Sequence, residues 1–185
     1  VMLGGSGSDT FDAAYIKQST NINLKTGNAT FGDHTTTLSS VENAIGGTKG
    51  DRMVGNAKAN VLQGRNGNDV MIGNGGNDRL EGGNGKDVLK GGSGRDILNG
   101  GAANDRMFGG GGADKFVFNG KAGAQNGTDR IKDWDTGLDK IQIKGGQLSE
   151  VTVSRSSGNT IVTYDEGKII LEDVSLTKGD IDFLF

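Results

Sequence analysis

The sequence predicts an all-β fold, a right-handed parallel β-roll capped by a C-terminal antiparallel segment, and three observations predict it. From Gly64 to Asp114 an aspartate stands in the sixth place of every nine-residue unit. Glycines precede each aspartate, and a large apolar residue follows two places later. The chain holds 35 glycines in 185 residues, no proline and only 5% aromatic side chains, too little bulk for a thick core.

The clean units read GRNGNDVMI, GNGGNDRLE, GGNGKDVLK, GGSGRDILN, GGAANDRMF and GGGGADKFV, with GGTKGDRMV and GNAKANVLQ as looser copies upstream. The first six residues of a unit make a turn, in which glycine permits positive φ and close backbone approach. The last three make a very short strand. Its middle residue is apolar in every copy (Met53, Leu62, Met71, Leu80, Leu89, Leu98, Met107, Phe116), and these side chains are the expected core. One unit makes half a coil, so units two apart stack on the same edge at roughly 4.8 Å. Two rows result: Asp51, Asp69, Asp87 and Asp105 on one edge, Asn60, Asp78, Asp96 and Asp114 on the other.

A row of carboxylates at that spacing repels itself by about 0.9 kcal/mol per adjacent pair at the dielectric of water, and by more where water is excluded. With such short strands, folding requires a cation between successive turns. Calcium suits the gap, because it accepts six to eight oxygens at about 2.3–2.6 Å and mixes carboxylates with carbonyls. Magnesium demands a tighter octahedron and gives up water reluctantly.

The remaining composition narrows the setting. Without cysteine there is no disulfide framework, which leaves metal as the staple. No apolar run reaches the length of a membrane span, and no charged-then-apolar signal opens the chain, which reads as part of a longer polypeptide. A glycine-rich linker would lack the phased apolar column.

Three segments are expected: 1–45 as the entrance to the roll, 46–118 as the roll, and 119–185 as its C-terminal β cap with a secretion signal. The entrance contains one isolated copy, GGSGSDTFD, whose Asp9 is out of phase with Asp51 and is an extra candidate ligand; Ile22, Leu24, Phe31, Leu38, Val41 and Ile45 mark short extended pieces. In the cap, VTVS, TIVTY and KIILEDV alternate as antiparallel strands do. They would cover strand edges that the stack otherwise exposes.

The run SVENAIGGTKGDRMVGNAKANVLQG, the repeats, GADKFVF and TDRIKDWDTGLDKI together resemble the C-terminal β-roll of serralysin-type metalloproteases and other RTX exoproteins. The final Asp182-Phe183-Leu184-Phe185 resembles the acidic-then-apolar terminus that such proteins present to a type I secretion channel. The resemblance implies calcium ions between each turn and the turn two units on, held by both aspartates and by carbonyls. Transferred by position, the carbonyl donors are Gly64, Gly73, Gly75, Gly76, Gly82, Gly83, Gly85, Gly91, Gly92, Gly94, Gly100, Gly101, Gly109, Gly110 and Gly112. Asn60 in place of aspartate, Lys49 in place of a turn glycine and Ala102-Ala103 depart from the pattern, so weak or absent calcium is expected at the Asn60 end. Asp129, Asp133, Asp135 and Asp139 read either as completing the last site or as turn and solvent carboxylates.

Catalysis finds little support. His34 is the single histidine, so a two-histidine zinc motif cannot be assembled. The roll carries ten basic and eight acidic residues between Gly46 and Phe118, which reads as a solvated surface or as attraction for polyanions by Arg65, Arg79, Arg95 and Arg106. The expected function is therefore that of a non-enzymatic, calcium-binding module that folds on export from a bacterium and serves type I secretion of an attached N-terminal domain. The partners are that domain and the secretion apparatus, with no nucleic acid. Two rivals remain: a tail holding anionic polysaccharide for an attached lyase or epimerase, and the terminal part of an RTX adhesin.

Overall fold

The computed structural model describes residues 1–120, 125, 127–145, 151–164 and 167–184, the side chains of 180 and 182–184 excepted. The entrance forms β1 (Met2–Leu3), β2 (Thr10–Asp12), β3 (Thr20–Asn23), β4 (Asn28–Phe31), β5 (His34–Ser39) and β6 (Asn43–Ile45). The repeats form β7 (Arg52–Val54), β8 (Val61–Asn66), β9 (Val70–Gly75), β10 (Arg79–Asn84), β11 (Val88–Ser93), β12 (Ile97–Ala102), β13 (Arg106–Gly111) and β14 (Lys115–Asn119). Beyond them lie β15 (Gly127–Ile131), β16 (Lys140–Lys144), β17 (Thr152–Ser156), β18 (Asn159–Tyr164), β19 (Gly167–Leu171) and β20 (Asp182–Leu184), with one 3₁₀ turn at Lys178–Asp180. Among the described residues no helix is long and apolar enough to cross a membrane.

Successive strands alternate between two sheets, as a half-coil repeat requires. The long sheet has twelve strands in the order β1-β5-β4-β3-β7-β9-β11-β13-β15-β19-β18-β17, and the short one has eight, β2-β6-β8-β10-β12-β14-β16-β20. Pairing through the repeats is parallel and shifts by 18 residues, as in Leu62↔Leu80, Leu80↔Leu98, Met71↔Leu89 and Leu89↔Met107. The core is two facing columns. Ile22, Met53, Met71, Leu89, Met107 and Ile131 stack in one sheet, and Leu62, Leu80, Leu98, Phe116 and Ile141 in the other, all at 0% exposure.

Two features differ from the sequence expectation. Strands β8 to β13 are six residues long, not three, because the glycine turns join the same ladders: Gly83 pairs with Gly101, and Asn84 with Ala102. The parallel ladders also continue past the last repeat, through β15 and β19 on one sheet and β16 and β20 on the other. VTVS and TIVTY do form the antiparallel pair β17–β18, and β18 pairs antiparallel with β19. In the entrance, β3, β4 and β5 make an antiparallel meander that extends the long sheet. Trp134 packs 6.1 Å from Phe116, and Tyr164 packs 6.1 Å from Phe118, closing the C-terminal end of the core.

A ladder of buried carboxylates as candidate metal centre

Each repeat aspartate sits where a glycine turn enters a strand, and its side chain turns inward toward the preceding coil. Asp51 N donates to Asp69 Oδ1 (2.7 Å), Asp69 N to Asp87 Oδ1 (2.7 Å), and Asp87 N to Asp105 Oδ1 (2.8 Å). On the other edge Asn60 N donates to Asp78 Oδ1 (2.8 Å), Asp78 N to Asp96 Oδ1 (2.7 Å), and Asp96 N to Asp114 Oδ1 (2.9 Å). The two expected rows are therefore brought together in register. These hydrogen bonds use one oxygen of each carboxylate.

The other oxygen has no partner. Oδ2 of Asp69, Asp78, Asp87, Asp96, Asp105 and Asp114 is buried and accepts no hydrogen bond, in residues at most 2% exposed. A buried acceptor left unmade costs of order 1–3 kcal/mol, and more when it is charged. Burial accordingly pushes the carboxyls of Asp69, Asp78 and Asp87 up to about 7 and that of Asp105 up to about 6. Neighbouring aspartates add to the rise for Asp69 (Asp87 and Asp51), Asp78 (Asp96) and Asp87 (Asp105).

The first glycine of each turn leaves room for this oxygen and for a carbonyl. A Cβ on Gly82 would lie 2.3 Å from both Asp87 Oδ2 and Gly100 O. The same convergence recurs at Gly64 (Asp69 Oδ2 at 2.2 Å, Gly82 O at 2.6 Å), Gly73 (Asp78 Oδ2 at 2.1 Å, Gly91 O at 2.5 Å) and Gly91 (Asp96 Oδ2 at 2.3 Å, Gly109 O at 2.6 Å). The carbonyls of Gly64 and Gly73 take equivalent places one coil earlier, facing Asp51 and Asn60. The carbonyls of Gly76, Gly83, Gly92 and Gly94 instead lie against the residue 18 further on. Gly85, Gly101, Gly110 and Gly112 shape the turns through left-handed backbone angles, φ from 99° to 132°. A Cβ on Gly75 would lie 3.2 Å from Ser93 Oγ. Ala103, at the departure noted in the sequence, takes the same left-handed conformation as its glycine counterparts, with φ 79°.

The first coil is built differently. Asp51 Oδ1 accepts from Thr20 N (2.7 Å) and Thr20 Oγ1 (2.9 Å), and its Oδ2 accepts from Gly47 N (2.6 Å). Asn60 Oδ1 accepts from Asn56 N (2.7 Å), while Asn60 Nδ2 donates to Glu42 O (2.7 Å). The Lys58 ammonium pairs with Glu42 at 3.1 Å. Neither Asp51 nor Asn60 has an orphaned oxygen. Lys49 and Lys58 occupy the turn place where later units turn left-handed, and neither adopts a positive φ.

Asp9, out of phase with the repeats in sequence, joins the ladder in the fold. Strands β2, β6 and β8 are consecutive in the short sheet, so Asp9 stacks at the head of the Asn60 row despite its irregular spacing. Its Oδ2 is also buried without a partner, and Gly5 (φ 93°) and Gly7 (φ 115°) repeat the turn conformation of the later units. Asp9 N donates to Glu42 Oε2 at 3.2 Å, which puts Glu42, a residue the sequence reading missed, in the rung below.

The rows also run on at the other end. Asp105 N donates to Asp129 Oδ1 (2.9 Å) and Asp114 N to Asp139 Oδ1 (2.9 Å). Asp129 and Asp139 are 1% and 3% exposed, and burial, offset by backbone hydrogen bonds, pushes them up to about 8 and about 6. A signal for both was present, since Asp129-Arg130-Ile131 and Asp139-Lys140-Ile141 keep the repeats' aspartate-to-apolar spacing without the glycines. Asp133 caps the last glycine turn, accepting from Gly109 N (2.9 Å) and Gly110 N (3.0 Å). Asp135 N donates to Asp139 Oδ2 at 2.8 Å.

Among the described residues no three His, Cys, Asp or Glu side chains converge as a metal cluster, so a cation here must draw on carbonyls as well. An unpaired buried carboxylate oxygen, a convergent carbonyl and a glycine lacking Cβ fit a hard, oxygen-seeking ion. This is the ligand chemistry of a calcium-binding repeat. The family model of the RTX calcium-binding nonapeptide repeat (four copies) matches twice, over residues 45–80 and 81–116, and that stretch consists of calcium-binding RTX repeats. A comparison with curated proteins gave no match.

Similar solved structures include the extracellular lipase LipA of Serratia marcescens, 12% identical with a TM-score of 0.36 over 80% of this chain. The chain spans 41% of that lipase. Two subunits of the Azotobacter vinelandii mannuronan C5-epimerase are also similar. AlgE6R3 is 24% identical, with a TM-score of 0.42 over 72% of this chain and 78% of its own. AlgE6R2 is 24% identical, with a TM-score of 0.39 over 75% and 91%. With scores this low, the likenesses carry no argument about function.

Proposed function

We propose that this chain is a calcium-dependent folding module of a secreted bacterial protein, disordered in low calcium and closing into the roll on export. The observation that carries the reading is the run of six consecutive rungs whose buried Oδ2 atoms have no partner. Asp69, Asp78, Asp87, Asp96, Asp105 and Asp114 would hold the ions, together with the carbonyls of Gly82, Gly91, Gly100 and Gly109. The ions would neutralise the rows and replace the missing hydrogen-bond partners. Binding to the folded state alone adds RT ln(1 + [L]/Kd) to stability, so an ion absent inside the cell and abundant outside acts as a one-way latch. In this reading 1–45 is the entrance, 46–118 the ion-bearing roll and 119–185 the cap, whose final residues, 182–185, are the type I secretion signal. Phe185 of that signal lies outside the described residues. The attached domain, held in the same polypeptide, carries whatever further activity the secreted protein has.

The test is circular dichroism and urea unfolding with chelator, with calcium and with magnesium. The β signal and cooperative unfolding should appear with calcium and remain weak with magnesium. Identical spectra and midpoints in chelator and in calcium would refute the proposal.

A further inference from the structure

The net charge of the chain is −3, yet one face of the roll is strongly basic. On the outer side of the long sheet, Lys86 enters β11, Lys90 ends its outward column, Arg106 lies on β13, Arg130 on β15, Lys132 just after it, and Lys168 on β19. These strands are consecutive neighbours, β11-β13-β15-β19. Glu172 is the acid recorded against them, holding Arg130 at 3.0 Å and also Lys132. Among the described residues Lys86, Lys90, Arg106 and Lys168 form no ion pair.

Two details show that this face is more than scattered solvation. Arg106 and Arg130 are directly paired in parallel register, about one strand spacing apart at roughly 4.8 Å. Like charges placed side by side on adjacent strands cost stability. A depression of about 240 Å³ opens between Lys86, Arg106 and Arg130, with the polar side chains of Asn104 and Thr128 on its wall. The carboxylates among its lining residues, Asp87 and Asp105, are buried beneath it at 1% exposure. They belong to the ion ladder.

Of the four arginines singled out in the sequence, only Arg106 lines the depression on this face. Arg79 is paired with Glu81, and Arg79 and Arg95 flank the Asp78–Asp96 row on the opposite edge from Arg106.

We infer that the outer face of β11, β13 and β15 binds an extended acidic polysaccharide, seating one of its anionic groups between Lys86, Arg106 and Arg130. The cations climb the roll rung by rung, so their spacing along the axis is the strand spacing, close to the advance of one sugar in an extended uronic-acid chain. Duplex nucleic acid presents a charge about every 1.7 Å of axis on a wide cylinder, a poorer match to one narrow column. Lys90 rides on the Phe108 ring, 5.2 Å from its centroid, which holds the ammonium out toward the ligand. Ions in the ladder beneath add positive charge and strengthen the field. The inference rests on the calcium-folded roll, so the fold is verified separately.

The test uses calcium-loaded protein, its fold checked by circular dichroism, titrated by calorimetry at low ionic strength with a short oligogalacturonate too short to gel with calcium. Arg106→Gln combined with Arg130→Gln should weaken binding by about tenfold or more, the equivalent of 1.4 kcal/mol, while Arg79→Gln leaves it unchanged. Binding should also fall with sodium chloride, since exposed charges are screened beyond about 8 Å at physiological salt. No binding by the folded protein overturns the inference. So does equal weakening by both variants, or unchanged binding in the double variant, which would indicate calcium bridging. A single-stranded oligonucleotide of equal charge binding more tightly would make the face a nucleic-acid site instead.

Discussion

Replacing Asp87 by Asn should stabilise the metal-free roll and weaken the calcium-loaded one. Asp87 is 1% exposed, and burial raises its carboxyl from 3.8 to about 7, a shift worth roughly 4 kcal/mol at 1.36 kcal/mol per unit. The sign follows from proton linkage. The folded metal-free state holds the proton more tightly than the unfolded chain, so stability is fullest below about 4 and is lost as pH rises through about 7. An amide removes that cost. Its Oδ1 can still accept from Asp69 N, now at 2.7 Å, and its Nδ2 would take the place of the orphaned Oδ2, beside the space shared with Gly100 O. With calcium the balance reverses, because the variant loses an anionic ligand. Urea unfolding in chelator at neutral pH should show Asp87→Asn more stable than the parent, by up to about 4 kcal/mol, with the difference vanishing near pH 4. Calcium titration should show lower affinity. A variant less stable than its parent in chelator would show that burial of Asp87 is not what opposes folding.

Two further perturbations probe the turns. Gly82→Ala places a methyl 2.3 Å from Asp87 Oδ2 and Gly100 O; it should abolish ion binding at that rung, and calcium stoichiometry by calorimetry equal to the parent's would contradict this. Asn60→Asp restores the repeat's aspartate in a turn whose oxygens already have backbone partners; it should add no calcium ion and should lower stability in chelator, and a gain of one ion per chain would show that the first coil is an ordinary ion site.

Much of the roll was legible because its repeat is local and strict. An aspartate and an apolar residue two places on, recurring every nine residues, fix which side chain points inward and which carboxylates share an edge. Any other register would bury charge against the core. The glycine at the head of each turn was legible for the same reason, as the place where a Cβ would fill the space shared by carboxylate and carbonyl. The sequence did not resolve the ends. Asp9 reaches the Asn60 row only because the β3–β4–β5 meander is inserted between β2 and β6, which leaves β2 free to pair with β6. That pairing is a contact between residues more than thirty apart. Asp129 and Asp139 join the rows through longer connections that hide the nine-residue phase. The basic face is likewise a product of stacking, since Arg106 and Arg130 lie 24 residues apart in sequence and side by side in the sheet. Local chemistry by itself determined the unit, its metal and its direction of burial. Tertiary structure decided which rungs are left with an orphaned oxygen, because that depends on how each turn closes at its place in the stack: in the first coil the turn's own Gly47 N donates to Asp51 Oδ2 at 2.6 Å, whereas at Asp87 that oxygen is left for a cation.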